Sequence, residues 1–206
     1  MNQYNSIIAG VGGQGVILAG NIIGEAALAA GYDVKKTDTI GMAQRGGSVI
    51  SHLRIAPEVF SPIIRKGEAD ILLAFEKLEA ARWRHYLKSG GIAIVNNQVL
   101  PPLSVSLGNE IYPDDKEIIG FIKKQTKDIY LVEGTGRAKE LGNIKALNIF
   151  MLGCLSHFVP IEEGVWQNCI AQNLPPKVVK LNITAFEKGK REIGDILNKK
   201  TESNNV

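Results

Sequence analysis

The chain has 206 residues, with 24 Lys and Arg against 21 Asp and Glu and a formal net charge of +3. That length suits one well-buried domain, and a charge this small, scattered until a mildly basic stretch over residues 188–200, is too weak for a nucleic-acid footprint. No apolar run approaches the roughly 20 residues of a membrane span, no basic n-region precedes the first apolar run, and two cysteines without a CxxC pair give no zinc or iron–sulfur framework. The expectation is a cytoplasmic protein with neither membrane nor nucleic acid as a partner.

Residues 6–9 read as a short apolar strand and residues 17–30 as a helix, with Ile17, Leu18, Ile22, Ala26 and Ala29 on roughly one face. Gly31 stands at the favoured position after the helix, and residues 32–37 form a second strand, completing a βαβ opening. Residues 49–55 read as a strand, followed by turns or a short edge segment at Ala56-Pro57-Glu58 and Ser61-Pro62. Alternation resumes with strand 70–75, helix 76–88, a Gly90-Gly91 turn and strand 92–95. A looser connection with Pro101-Pro102 and Gly108 holds an expected short strand at 103–107, before helix 114–125 and strand 128–132. Beyond Gly136 the pattern turns helical over 144–158, 161–172 and 175–198, divided by Pro160 and Pro175-Pro176, and residues 201–206 have the composition of a disordered tail. These elements predict an α/β fold: a three-layer α/β/α arrangement with an open, mostly parallel, Rossmann-like sheet and a helical C-terminal layer, in one domain over residues 1–200.

Two glycine-rich loops stand out, and both are expected at the same edge of the sheet. In the first, Gly10, Gly12 and Gly15 fit the GxGxxG spacing that follows a strand and opens a helix, where backbone N–H groups approach a phosphate at the helix's positive end. Gly13 and Gln14 add to the case for a contact, Gln14 offering an amide at the helix start, although a plain solvent-facing glutamine is the commoner reading of that residue type. Asp33 or Asp38 stands about where a dinucleotide fold places its ribose-binding acid. A tight strand-to-helix turn, with glycines serving only close packing, remains the alternative. The second loop, Gly41-Met42-Ala43-Gln44-Arg45-Gly46-Gly47-Ser48, carries a cation between apolar and glycine residues.

Gly12-Gly13-Gln14-Gly15 together with Met42-Ala43-Gln44-Arg45-Gly46-Gly47-Ser48 resembles the small subunit of indolepyruvate ferredoxin oxidoreductase, and more widely the gamma subunit or domain of the 2-oxoacid:ferredoxin oxidoreductases. The order of elements from Tyr4 to Phe158 fits, as does Ala69-Asp70-Ile71-Leu72-Leu73-Ala74-Phe75-Glu76; Asp38 and Ile40 stand where the family often carries glutamate and histidine. The resemblance implies oxidative decarboxylation of an aryl 2-oxoacid, capture of the acyl group by coenzyme A, and delivery of electrons to ferredoxin. It also implies a larger partner subunit carrying thiamine diphosphate, magnesium and iron–sulfur clusters, with none of these tightly bound here; a homodimer of the isolated chain is compatible with that reading.

Gly10, Gly12, Gly13, Gln14 and Gly15 are then the candidate cofactor-binding residues. Met42, Gln44, Arg45, Gly46, Gly47, Asp38 and Glu76 are the candidates for contact with substrate or partner. Arg45 offers a planar fork for a carboxylate or diphosphate across a subunit boundary, against the alternative of an ion pair pinning its own loop. Glu76 follows a strand at the carboxyl edge, where a carboxylate at a helix start is also favoured by the dipole. No catalytic residue is assigned: His52 falls in a strand, His85 and His157 in helical sequence, and Cys154 and Cys169 read as reduced helix residues. Asn96-Asn97 and Gly134-Thr135-Gly136 share the carboxyl edge and read as ordinary turns, while Trp83 and Trp166 suit either the core or a partner surface. The rival functions are an independent NAD(P)-dependent oxidoreductase using residues 10–15 and Asp38, and a non-catalytic nucleotide- or acyl-CoA-binding module.

Overall fold

The computed structural model describes residues 3–41 and 46–204. Six strands, β1 (Tyr4–Val11), β2 (Asp33–Ile40), β3 (Ser48–Ala56), β4 (Ala69–Ala74), β5 (Leu87–Asn96) and β6 (Ile129–Val132), form one sheet in the order β2-β3-β1-β4-β5-β6. Pairing is parallel through β1, β4, β5 and β6, whereas β3 runs antiparallel to both of its neighbours. The sheet is therefore mixed but mostly parallel. The opening βαβ unit is real in direction, but β3 inserts between its two strands, so β2 is an edge strand with only partly buried side chains.

Side chains on successive strand residues face opposite sides of a sheet, and the two cores follow that rule. Ile8, Leu73 and Ile94 face the larger core, made with α1 (Val16–Ala29), α6 (Leu147–Ser156), α7 (Glu163–Asn173) and α8 (Pro176–Asn204). Ile7, Leu72 and Val95 face the smaller core, with α2 (Lys77–Trp83) and α4 (Asp115–Lys123). The short helices α3 (Leu103–Ser106) and α5 (Gly134–Glu140) sit at the carboxyl ends of β5 and β6. This is the expected three-layer arrangement with a helical C-terminal part.

Several boundaries differ from expectation for local reasons. The helix expected at 76–88 stops at Trp83, a 3-10 turn occupies Arg84–Tyr86, and Leu87 already pairs with Ala69. Gly90 and Gly91 consequently lie inside β5, where the register shifts between Ala69 and Ile71, rather than in a turn. Residues 103–107 are helical, not extended: the Ser106 N–H donates to the Pro102 carbonyl at 3.0 Å and that of Leu107 to Leu103 at 2.9 Å, and β5 is already flanked by β4 and β6. Gly134-Thr135-Gly136 opens α5 instead of forming a turn. Helix α8 continues to Asn204, past the start of the expected tail. Helix α4 begins as its sequence dictates, with Asp114 and Glu117 forming a reciprocal capping box.

Candidate functional site

The carboxyl ends of β1, β4, β5 and β6 meet at one edge, where open α/β sheets place their ligands. The first glycine loop runs from the end of β1 into α1. Its glycines divide in purpose. A Cβ on Gly10 would stand 2.8 Å from Val16 Cγ2 and 3.0 Å from Phe75 Cβ, so Gly10 serves close packing. Gly15 is the N-cap of α1 at φ 82, a left-handed conformation that favours glycine, and no side chain caps this helix end. Gly13, at φ 92, faces open space.

Part of the loop's hydrogen-bonding capacity is used inside the chain. Gly12 N–H donates to the Gly47 carbonyl at 3.0 Å, which docks the second glycine loop on the first. Gln14 is neither a free ligand arm nor a solvent-facing side chain: its Oε1 accepts from Val11 N–H at 2.8 Å and its Nε2 donates to the Phe75 carbonyl at 3.0 Å. It braces the loop against the end of β4.

A cavity of about 500 Å³ lies beside this loop, bounded by Gly13, Gln14 and Gly15, by Gln98 and Leu100 after β5, by Thr135, and by the segment from Asn143 to Asn148. Leu174, Pro175, Val178 and Asn182 close the far side. Apolar walls of Leu18, Leu100, Leu147 and Val178 are thus combined with polar groups gathered near α1. Gln98 and Asn182 each spend an amide hydrogen on the Val99 and Val178 carbonyls, whereas donors at the start of α1 remain free among the described residues. Asn148 is 6% exposed and its oxygen accepts from Ile149 N–H at 2.9 Å, leaving Nδ2, packed against Gly15, without a hydrogen-bond partner among the described residues. Lys145 stands on the rim as the charged lining residue. Uncapped N–H groups at the start of α1 add positive potential.

The second loop is a β2–β3 hairpin connection, with Gly41 N–H donating to the Ser48 carbonyl at 3.4 Å. Gly46 is exposed at φ 74, and Gly47 holds Gly12. Met42, Gln44 and Arg45 lie outside the described residues. Beside Gly46 and Gly47 a wider recess of about 920 Å³ reaches Glu76, Glu79 and Arg82 and is walled by the connection around α3.

Glu76 is the N-cap of α2, where its carboxylate accepts from Glu79 N–H at 2.9 Å, from Leu100 N–H at 3.2 Å and from the Tyr112 hydroxyl. Burial holds its pKa above the ordinary glutamate value against those bonds, and burial together with Glu76 pushes the Tyr112 phenol up. Glu76 is a clasp for both ends of the connection around α3. Nearby, Glu79 takes Arg82 Nε at 3.1 Å, Trp83 Nε1 at 3.0 Å and the Ser48 hydroxyl. Trp83 therefore belongs to this network, while Trp166 is wholly buried in the core.

Asp38 does not reach the glycine loop. It is held by Lys36 Nζ at 2.7 Å and by the Ser51 hydroxyl at 2.5 Å, and β3 separates its strand from β1 by two strand spacings, about 10 Å. Asp33 lies at the opposite end of β2, accepting from Val59 N–H at 2.8 Å. A ribose-binding acid beside the phosphate loop, which the dinucleotide reading needs, is met by neither residue. Cys154 and Cys169 are buried on different helices, burial raises both thiol pKa values, and Cys154 Sγ donates to the Gly189 carbonyl. No three His, Cys, Asp or Glu side chains gather for a metal among the described residues. No helix among them is long and apolar enough to cross a membrane.

The polar lining at Thr135, Asn148 and Asn182 escapes motif reading, and so does Asn96 behind it. Its signal was positional: Asn96 ends β5 and Thr135 follows β6 at the carboxyl edge.

Residues 5–192 match the family described as pyruvate ferredoxin/flavodoxin oxidoreductase. Indolepyruvate oxidoreductase subunit IorB of Pyrococcus horikoshii is 37% identical over 201 residues, covering 96% of this chain and 100% of the relative. The crystal structure of the keto/oxoacid ferredoxin oxidoreductase gamma subunit from Geobacter sulfurreducens superposes with a TM-score of 0.68 at 25% identity, covering 92% of this chain and 98% of that one. The 2-oxoglutarate:ferredoxin oxidoreductase from Magnetococcus marinus, solved with 2-oxoglutarate, coenzyme A and succinyl-CoA bound, shares the fold with a TM-score of 0.74 at 23% identity; the match spans 95% of this chain but 32% of that one. The chain belongs to the pyruvate ferredoxin/flavodoxin oxidoreductase family.

Proposed function

We propose that this chain is the small subunit of an indolepyruvate-type 2-oxoacid:ferredoxin oxidoreductase. The complex decarboxylates an aryl 2-oxoacid oxidatively, transfers the acyl group to coenzyme A and passes the electrons to ferredoxin. A larger subunit carries thiamine diphosphate, magnesium and the iron–sulfur clusters. The identity to IorB over essentially the whole of both chains supports the substrate class.

The chain's own contribution is a binding surface. One observation carries that reading: the cavity beside the glycine loop joins apolar walls to a cluster of hydrogen-bond donors at the start of α1, a combination suited to a ligand with an apolar body and phosphate or carbonyl acceptors. Coenzyme A has that chemistry, and we assign it to this cavity as co-substrate. The NAD(P) alternative is weakened by the placement of Asp38 across β3.

Co-expression with the larger subunit tests the assignment. Indolepyruvate-dependent, coenzyme A-dependent ferredoxin reduction is expected only with both chains present, and Val178→Trp, which narrows the cavity, is expected to raise the KM for coenzyme A about tenfold or more. Oxidation of 2-oxoacids by the isolated chain would overturn the subunit reading. Tight, saturable NAD(H) or NADP(H) binding by that chain would favour the rival enzyme.

A further inference from the structure

Behind the cavity lies a buried network that no sequence motif announces. Asn96 ends β5 and is 0% exposed. Its Nδ2 donates to the Phe75 carbonyl at 3.0 Å and to Thr135 Oγ1 at 2.9 Å, and its Oδ1 accepts from Thr135 N–H at 3.1 Å. The same Phe75 carbonyl receives Gln14 Nε2 at 3.0 Å from the other side. Two carboxamides thus meet on one oxygen and lace the glycine loop, the end of β4, the end of β5 and the start of α5 together. Room for this is made by Gly134, where a Cβ would stand 2.8 Å from Leu147 Cδ1 and 3.1 Å from Asn96 Oδ1.

The network has a direction. A carboxamide nitrogen only donates, so Thr135 Oγ1 must accept from Asn96, and its own hydrogen finds no acceptor among the described residues. Thr135 is 8% exposed and lines the cavity. Its hydrogen is therefore available to a ligand in the cavity, whose lining also includes Asn148 and the start of the glycine loop's helix.

We propose that Thr135 contacts the cavity's ligand as a hydrogen-bond donor to a phosphate or carbonyl oxygen, and that Asn96 is the positioning residue that fixes the hydroxyl in that sense. The inference rests on the reading of the cavity as a coenzyme A site and adds the groups that read its acceptors. Asn96→Asp places an acceptor where Nδ2 donates, so the Thr135 hydrogen turns toward the new carboxylate and away from the ligand. Thr135→Val removes the hydroxyl at nearly constant volume, and Thr135→Ser keeps it.

The test uses the full chain in complex with its larger partner, with coenzyme A varied at saturating 2-oxoacid. Losing a donor to a charged acceptor weakens binding by about tenfold or more. Thr135→Val and Asn96→Asp are therefore expected to raise the KM for coenzyme A by about that factor, with kcat and the KM for 2-oxoacid within about twofold of wild type. Thr135→Ser recovers the lower KM. Asn96→Asp also sets a carboxylate against the Phe75 carbonyl, so where it fails to fold, the Val and Ser pair at Thr135 decides. If Thr135→Val leaves the KM for coenzyme A unchanged while Val178→Trp raises it, the Thr135 proposal is overturned and the cavity assignment stands. If Val178→Trp also leaves it unchanged, the cavity assignment itself fails.

Discussion

His52 on β3 is 6% exposed, stands edge-on to Tyr86 with ring centroids 5.0 Å apart, and accepts the Ile64 N–H on Nδ1 at 3.3 Å. A ring in that position is neutral, and burial holds its pKa below the ordinary 6.5. The unfolded chain then binds the proton more readily than the folded one, so this residue's contribution to stability is present above pH 6.5 and is lost as pH falls through the depressed folded value. Denaturant unfolding of the wild type across that window is expected to show the loss, and His52→Asn, which keeps an acceptor for Ile64, is expected to flatten it. Equal slopes in the two proteins would remove His52 from the account. The strand position of His52 was legible in the sequence, but its partner, Ile64, lies in an irregular segment that no periodicity foretells. Gln14 and Glu76 make the same point: residue type marked both as candidate ligands, and only the fold reveals that each holds backbone groups from distant segments.

Helix α6 is apolar apart from Asn148 and buried from Leu147 to Leu155, which its composition announces. Where it crosses α8, the backbones touch at two glycines. A Cβ on Gly153 would lie 2.0 Å from the Phe186 carbonyl oxygen, and one on Gly189 would lie 2.0 Å from that of Phe150. Gly153→Ala or Gly189→Ala must push the helices apart, and overpacking of this kind costs about 1–3 kcal/mol. Each is expected to lower the unfolding midpoint accordingly, while Gly194→Ala on α8, whose Cβ would meet nothing within 4 Å, is neutral or mildly stabilising through helix propensity. Calorimetry of the three variants checks this. The helical pattern over 144–158 was legible; the crossing was not, because close approach depends on two segments 36 positions apart. Element boundaries failed for the same reason. Long-range pairing of Leu87 with Ala69 ended a helical pattern early, and β3 entered the sheet where local sequence read only "strand".

The insertion of β3 between β1 and β2 has its largest effect on the molecule as a whole. It brings Gly46 and Gly47 beside the carboxyl end of β1, where Gly12 N–H donates to the Gly47 carbonyl, so the described flank of the second glycine loop shares the edge of the first. The chain's family was readable because these two loops are short, contiguous motifs, whereas the cavity is assembled from the β1–α1 loop, α1, the segment after β5, α5, α6 and α8 and has no contiguous signature. In the sequence Arg45 stands between Gly41 and Gly46, and both of these described flanks are exposed. Its proposed role is to reach across the subunit boundary toward the carboxylate of the 2-oxoacid, where a guanidinium gives two parallel hydrogen bonds and an ammonium cannot. In the reconstituted complex, Arg45→Lys is expected to raise the KM for the 2-oxoacid by about tenfold, the worth of one charge-assisted hydrogen bond, without altering the KM for coenzyme A or the amount of partner subunit retained. This pattern separates the two loops, since Thr135→Val is expected to move the KM for coenzyme A alone. Loss of partner binding in Arg45→Lys would make the residue an assembly contact, and wild-type turnover with wild-type assembly would reduce the loop to a turn between β2 and β3.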